Sequence, residues 1–187
     1  MLANLRPFLK EILDPIVAKL NINPNLITLT SLIIAIFSAI AVGASNILLG
    51  VVLILFSGFL DVLDGAIARC HNRVSEFGAI LDSTIDRFSD AIIVIGFIFG
   101  NYVDWFVGIL AIHSGFMVSY VRSSSESKGI DNSVGIAERA VRLIILMASL
   151  LIGLIDTNYI HFAFIFLIVL SYFTATQRMF HAWKHEK

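Results

Sequence analysis

Six apolar stretches, near residues 26–44, 46–68, 79–100, 103–122, 139–156 and 159–180, follow one another through this chain with only short polar breaks between them. A helix needs about 20 apolar residues to cross the hydrocarbon core of a bilayer, and each stretch meets or approaches that length. The 187 residues are 58% hydrophobic and only 14% charged, where a soluble domain carries about 25% charge. Bilayer is the natural solvent for such a chain. Ahead of the first stretch, Leu5, Phe8, Leu9, Ile12, Leu13 and Ile16 recur three to four apart, with Arg6, Lys10, Glu11 and Asp14 between them. That spacing predicts an amphipathic helix over residues 1–20 lying in the membrane surface. The expected architecture is an all-α integral membrane protein, one membrane domain over residues 1–187, with six transmembrane helices behind an interfacial helix.

Charge placement supplies an independent check, because successive loops of a helical bundle alternate between the two faces of the membrane. Arg6, Lys10 and Lys19 precede the first span, and Arg69 and Arg73 follow the second. Arg122, Lys128, Arg139 and Arg142 surround the junction of the fourth and fifth, and Arg178, Lys184 and Lys187 close the chain. The opposite loops carry Asp104 and Asp156 but no Lys or Arg. The positive-inside rule therefore predicts a multi-pass protein of the cell membrane, with both termini and the basic loops in the cytoplasm. A net charge of −1 gives no reason to expect a nucleic-acid partner, since phosphate-backbone binding needs a strongly basic surface. The single cysteine, Cys70, cannot form an intrachain disulfide. The N-terminus lacks the basic start and small-residue cleavage site of a signal peptide and is expected to stay on the mature protein.

The residues that carry chemistry stand at one membrane boundary. The chain reads Asp61-Val-Leu-Asp64-Gly65-Ala-Ile-Ala68-Arg69, then eight residues, then Gly78-Ala-Ile-Leu-Asp82-Ser-Thr-Ile-Asp86. Asp61 and Asp64 at i, i+3, and Asp82 and Asp86 at i, i+4, each share a helix face. The turn between them brings the two helices back antiparallel, so four carboxylates are expected to converge on one gap. Unpaired, they would repel one another. Bound to hard divalent cations such as Mg²⁺, Mn²⁺ or Ca²⁺, they make a coherent oxygen-ligand set. Gly65, Ala68 and Gly78, with little or no side chain, leave room for a phosphate-bearing ligand or a neighbouring backbone. A structural alternative pairs Asp82, Asp86 and Asp90 with Arg87, Arg122 or Arg139. A cation transporter would instead distribute acidic groups through the membrane, and here they gather at one face. Acidic residues at bilayer depth are costly and are functional candidates by default.

The pattern D-x-x-D-G-x-x-A-R-x8-G-x3-D-x3-D resembles the signature of the CDP-alcohol phosphotransferase family, with Asp61, Asp64, Gly65, Ala68, Arg69, Gly78, Asp82 and Asp86 at its eight fixed positions. The resemblance extends over nearly the whole chain. It implies six membrane helices, a homodimer, and phospholipid biosynthesis by transfer from a CDP-linked lipid donor to an alcohol. Magnesium, or manganese, would be the cofactor, held by Asp61, Asp64 and Asp82, with Asp86 able to join. Asp86 is also implied as the base that takes the acceptor's proton as its oxygen attacks the β-phosphorus and CMP leaves. Gly65, Ala68, Arg69, Ser75 and Gly78 are implied neighbours of the cytidine nucleotide, together with Asn25 and Thr28 in a Pro-Asn-x-x-Thr segment similar to the family's.

The second half of the chain should choose the acceptor. Ser119-Tyr-Val-Arg122, Gly135-Ile-Ala-Glu138-Arg139 and Thr176-Gln177-Arg178 look like the segments with which phosphatidylinositol-phosphate synthases and their archaeal-lipid counterparts bind inositol phosphate. Ser119, Arg122, Arg139 and Arg178 are the implied acceptor-phosphate ligands, several guanidiniums on one anion being a sound phosphate site. Ser124 departs from the bacterial inositol-phosphate enzymes, which commonly have a further Arg there, so glycerol 3-phosphate, and serine beyond it, stay open as acceptors. Arg142, Lys128, Lys184 and Lys187 read as basic side chains snorkelling to lipid phosphates. His113 reads as a packing or polar-contact residue, and Asp90 as an arginine partner one turn beyond Asp86.

Overall fold

The computed structural model describes residue 17 and residues 19–185. The interfacial helix expected over residues 1–20 lies almost wholly outside them. The described residues form six helices and no strand: α1 Pro24–Gly43, α2 Ile47–Cys70, α3 Glu76–Phe99, α4 Trp105–Glu126, α5 Arg139–Gly153 and α6 Asn158–Lys184. Short polar side chains set several of the starts. Asn23 accepts a hydrogen bond from Asn25 N–H ahead of Pro24, Asn46 from Leu49 N–H, Ser75 from Gly78 N–H, and Asp104 from Phe106 and Val107 N–H. Each satisfies a first-turn donor that has no partner within its helix, and Pro24 sits where its missing N–H costs nothing.

Four helices, α1, α2, α4 and α6, are long and apolar enough to cross a membrane. The other two carry much of the site's charge. α3 has Asp82, Asp86, Arg87 and Asp90 in its first fifteen residues, and α5, which opens on Arg139 and Arg142, has only 15 residues, about 22 Å at 1.5 Å per residue. Large apolar side chains face outward all round the bundle, among them Phe37, Leu48, Leu55, Phe106, Phe162, Phe166 and Phe173. Water would not tolerate so continuous an apolar exterior, and acyl chains do.

Inside, α1 packs against both α2 and α3, α4 against α6, and α5 joins the two groups by touching α2 and α6. The core runs through Ala35, Val42, Ile54, Ile93, Phe97, Leu150 and Phe164. Between α1 and α2, Ser38 donates to Gly50 O at 3.1 Å and Ser57 to Ser31 O at 2.9 Å, the interhelical hydrogen bonds that hold helices where lipid removes the hydrophobic drive. α1 and α3 meet at Gly96, where a Cβ would stand 2.6 Å from Ala39 O. Only glycine permits that approach, which brings the last turns of α1 and α3 together at the end of the bundle away from the acidic residues.

Candidate active site

α2 ends and α3 begins around a short turn, residues 71–75, in which Asn72 takes a left-handed backbone with φ of 54°. The turn is tied to the segment before α1 by Arg73, which donates to Asn21 Oδ1 at 2.6 Å and Ile22 O at 3.3 Å. The two helices are thereby returned antiparallel with their carboxylates facing. Asp61, Asp82 and Asp86 each present an oxygen within 4.8 Å of the others. Two oxygens on opposite sides of one Mg²⁺ are about 4.2 Å apart, so a small contraction would make these three into ligands of one ion. The donor set is oxygen only, which fits a hard divalent cation; Asp86 Oδ1 is buried and makes no aligned hydrogen bond, its near neighbour being the Arg139 guanidinium.

Asp64 stands apart from that trio. It is buried, and Thr28 donates to its Oδ2 at 2.5 Å. Of the four carboxylates expected to converge, three do, and the fourth is held by α1. Thr28, expected among the nucleotide's neighbours, has its hydroxyl on Asp64. Replacing Thr28 by Val should lower kcat/KM about ten- to hundredfold, as losses of the groups that orient a ligand carboxylate do, while Thr28→Ser stays near wild type. A Thr28→Val protein as active as wild type would show that Asp64 needs no such orientation.

The remaining nucleotide candidates lie around this corner. A Cβ on Gly65 would meet the Arg69 guanidinium at 3.1 Å, and one on Gly78 would meet Ser75 Oγ at 2.9 Å and Asn25 Oδ1 at 3.5 Å. Ala68 follows Gly65 by one turn on α2. Arg69, in the last turn of α2, is exposed. Ser75 also serves as the cap of α3.

On the other side, a cavity of about 580 Å³ is lined by Asp61, Asp86, Asp90, Ser119, Arg122, Glu138, Arg139, Arg142 and Arg178. All four acceptor-phosphate candidates thus share one cavity with two of the four carboxylates. Their states differ. Arg122 is exposed and paired with Glu126 at 2.7 Å. Arg178 is buried and donates from Nε to Val134 O at 2.8 Å and from Nη1 to Val118 O at 2.7 Å. Arg139, implied as an acceptor-phosphate ligand and weighed also as a structural partner of Asp86 and Asp90, lies on the carboxylates: its Nη1 is 2.6 Å from both Asp61 and Asp86, and its Nε is 3.3 Å from Asp90. The contact with Asp86 is ionic without hydrogen-bond alignment, since both atoms lack an aligned partner.

Arg142 corrects the sequence reading. It does not snorkel to lipid; it is buried, donates from Nη1 to Ala137 O at 3.0 Å and pairs through Nη2 with Asp90 at 2.5 Å. The loop from α4 to α5 carries further residues that sequence reasoning passed over. Asn132, fully buried, donates to Ser125 Oγ at 2.9 Å and Arg178 O at 3.0 Å, and Ala137 N–H donates to Thr174 Oγ1 at 3.1 Å. Gly135 has φ of 114°, and a Cβ there would fall 2.4 Å from Thr174 Cγ2; this glycine was the one local sign that the loop is pressed against α6. His113, which had no evident partner in the sequence, shares a hydrogen bond of 2.8 Å with the Tyr172 hydroxyl. Asp104 and Asp156 are accounted for as caps, Asp104 of α4 and Asp156 by accepting from Asn158 N–H. Among the described residues they offer no continuation of the acidic cluster toward the far side, which the transporter alternative requires.

The CDP-alcohol phosphatidyltransferase family model matches residues 21–183. The chain belongs to that family and is a transferase. It is similar to the archaetidylinositol phosphate synthase of Methanothermobacter thermautotrophicus, with 45% identity over 188 residues that cover 100% of this chain and 96% of that one. The fold is similar to that of the Mycobacterium tuberculosis phosphatidylinositol phosphate synthase crystallised with CDP-DAG bound, with a TM-score of 0.82 at 24% identity, covering 92% of this chain and 94% of that chain. The same Mycobacterium enzyme in complex with manganese and citrate superposes with a TM-score of 0.82 at 24% identity, over 91% of this chain and 88% of that one.

Proposed function

We propose that this chain transfers a phosphatidyl or archaetidyl group from a CDP-linked lipid to the hydroxyl of a phosphorylated alcohol, inositol phosphate before others, and releases CMP. The observation that carries this reading is the meeting of two unlike charge sets on one cavity, a carboxylate trio from α2 and α3 and arginines from α4, α5 and α6. Names borne by similar proteins support it, both being inositol phosphate lipid synthases.

In this reading Asp61, Asp64, Asp82 and Asp86 hold Mg²⁺ or Mn²⁺, which would neutralise the donor pyrophosphate. Asn25, Gly65, Ala68, Arg69, Ser75 and Gly78 surround the cytidine nucleotide, with Thr28 behind Asp64. Ser119, Arg122, Arg139 and Arg178 bind the acceptor's own phosphate. Asp86 accepts the acceptor's hydroxyl proton. The oxygen so freed bonds to the donor's β-phosphorus, the bond from that phosphorus to the bridging oxygen breaks, and its electron pair leaves with CMP. An assay of purified protein with CDP-archaeol or CDP-diacylglycerol against inositol 1-phosphate, glycerol 3-phosphate, serine and inositol tests the choice. CMP release with inositol 1-phosphate well above the rest is expected, and preference for serine or inositol would contradict it. Ser124, where the bacterial inositol-phosphate enzymes commonly have Arg, leaves glycerol 3-phosphate open as the second reading.

Six crossings, with both termini and the site in the cytoplasm, complete the proposal. In a Cys70→Ser background, cysteines placed at 104 and 156 should label from outside and one at 128 from inside; all three on one side would break the six-span arrangement. The resemblance also carries a homodimer, which the mass of the detergent-solubilised protein reads directly.

A further inference from the structure

Asp90 lies one turn beyond Asp86 on α3 and outside the family signature, yet it joins two arginines of α5. Its Oδ2 takes Arg142 Nη2 at 2.5 Å and its Oδ1 takes Arg139 Nε at 3.3 Å. Arg142 is itself tethered, since its Nη1 donates to Ala137 O, and Ala137 N–H donates to Thr174 on α6. One oxygen of Asp90 is thus pinned through a backbone segment anchored to another helix, and the other is left to hold Arg139. Arg139 has three carboxylate neighbours. Two of them, Asp61 and Asp86, belong to the trio and meet Nη1; Asp90 is the one outside it and holds the guanidinium by Nε, in the wall of the cavity that Ser119, Arg122 and Arg178 also line.

We propose that Asp90 is a positioning residue for the acceptor phosphate, fixing the orientation of the Arg139 guanidinium in the cavity wall beside Asp61 and Asp86. The inference rests on the reading that the acceptor carries a phosphate. Without Asp90, Arg139 keeps only the Nη1 contacts with Asp61 and Asp86, and no carboxylate fixes the guanidinium at Nε.

The test is a double-mutant cycle on wild type, Asp90→Asn, Arg139→Ala and the double variant, with inositol 1-phosphate as probe. Its affinity is measured by calorimetry with Mg²⁺ and no donor, and its KM under saturating CDP-lipid. Asp90→Asn should raise the acceptor's Kd and its KM about tenfold and leave the donor KM within about twofold. The double variant should match Arg139→Ala alone, because removing the holder changes nothing once the held group is gone. If Asp90→Asn leaves Arg142 too poorly paired for a folded protein, Asp90→Glu keeps the charge but displaces the carboxylate, and the same cycle is read with it. Fully additive losses, or a fall in kcat with unchanged acceptor affinity, would overturn the positioning role while sparing the phosphate reading. Unchanged acceptor affinity in Arg139→Ala would instead sink the phosphate-acceptor reading, and this inference with it.

Discussion

Asp86→Asn should lower CMP release by about 10²–10⁴-fold, the range expected when a positioned proton acceptor is lost, in a protein that still folds. The geometry explains both halves of that result. Asp86 is one of three carboxylates within 4.8 Å of one another and is the implied base, so its loss removes a proton acceptor and a ligand together. The fold survives because Arg139 keeps Asp61 at 2.6 Å and Asp90 at 3.3 Å, leaving no buried guanidinium without a counter-charge. Asp61→Asn and Asp82→Asn should also lose most activity, and more added Mg²⁺ or Mn²⁺ should restore part of it, since each removes a ligand without removing the base. A chelator should silence the wild type, and added divalent metal should revive it. CMP release in a panel of reconstituted variants, with thermal unfolding in the same detergent, measures both. Full activity in all three variants would return the carboxylates to a structural role as partners of Arg139.

The second large effect belongs to Arg178. Its Nε and Nη1 donate to Val134 O and Val118 O, which fixes the guanidinium at the cavity wall and joins α6 to α4 and to the loop before α5. Lysine carries the same charge but has no fork to span both carbonyls. Arg178→Lys should therefore raise the acceptor KM about tenfold to a hundredfold, on the scale of a charge-assisted hydrogen bond worth about 1.5–3 kcal/mol, and move the donor KM far less. Arg122→Ala should cost only a few-fold, because Arg122 is exposed and its pairing with Glu126 is of the surface kind, worth roughly 0–1 kcal/mol. Steady-state kinetics in both substrates decide the matter. Equal rises in donor and acceptor KM would mean that Arg178 supports the fold around the cavity without binding the acceptor's phosphate.

Much of this was readable in the sequence, for reasons that can be located. The helices are legible because the apolar runs are long and because Asn23, Asn46, Ser75 and Asp104 stand where helix starts need side-chain acceptors. The acidic cluster is legible because spacings of three and four put carboxylates on one face, which is a local property. What was not legible depends on partners far away in the chain. An arginine at a cytoplasmic helix start looks the same whether it reaches lipid or the interior; for Arg142 the answer is Asp90, 52 positions away. Asp64 looked equivalent to its neighbours until Thr28, 36 positions away, was placed against it. For Arg139 the sequence offered both a phosphate and carboxylate partners, but not Asp61, which it meets because α5 packs against α2 and brings its first residue there.

The central claim is that the lipid product gains a phosphate it did not have in the donor, because the acceptor brings its own. Phosphorus magnetic resonance of the lipid extracted after reaction with CDP-lipid, inositol 1-phosphate and Mg²⁺ tests it directly. The predicted spectrum has one phosphodiester and one phosphomonoester resonance of equal area, with one CMP released per product molecule. A product with a phosphodiester alone, formed at full rate from an unphosphorylated alcohol, would contradict it.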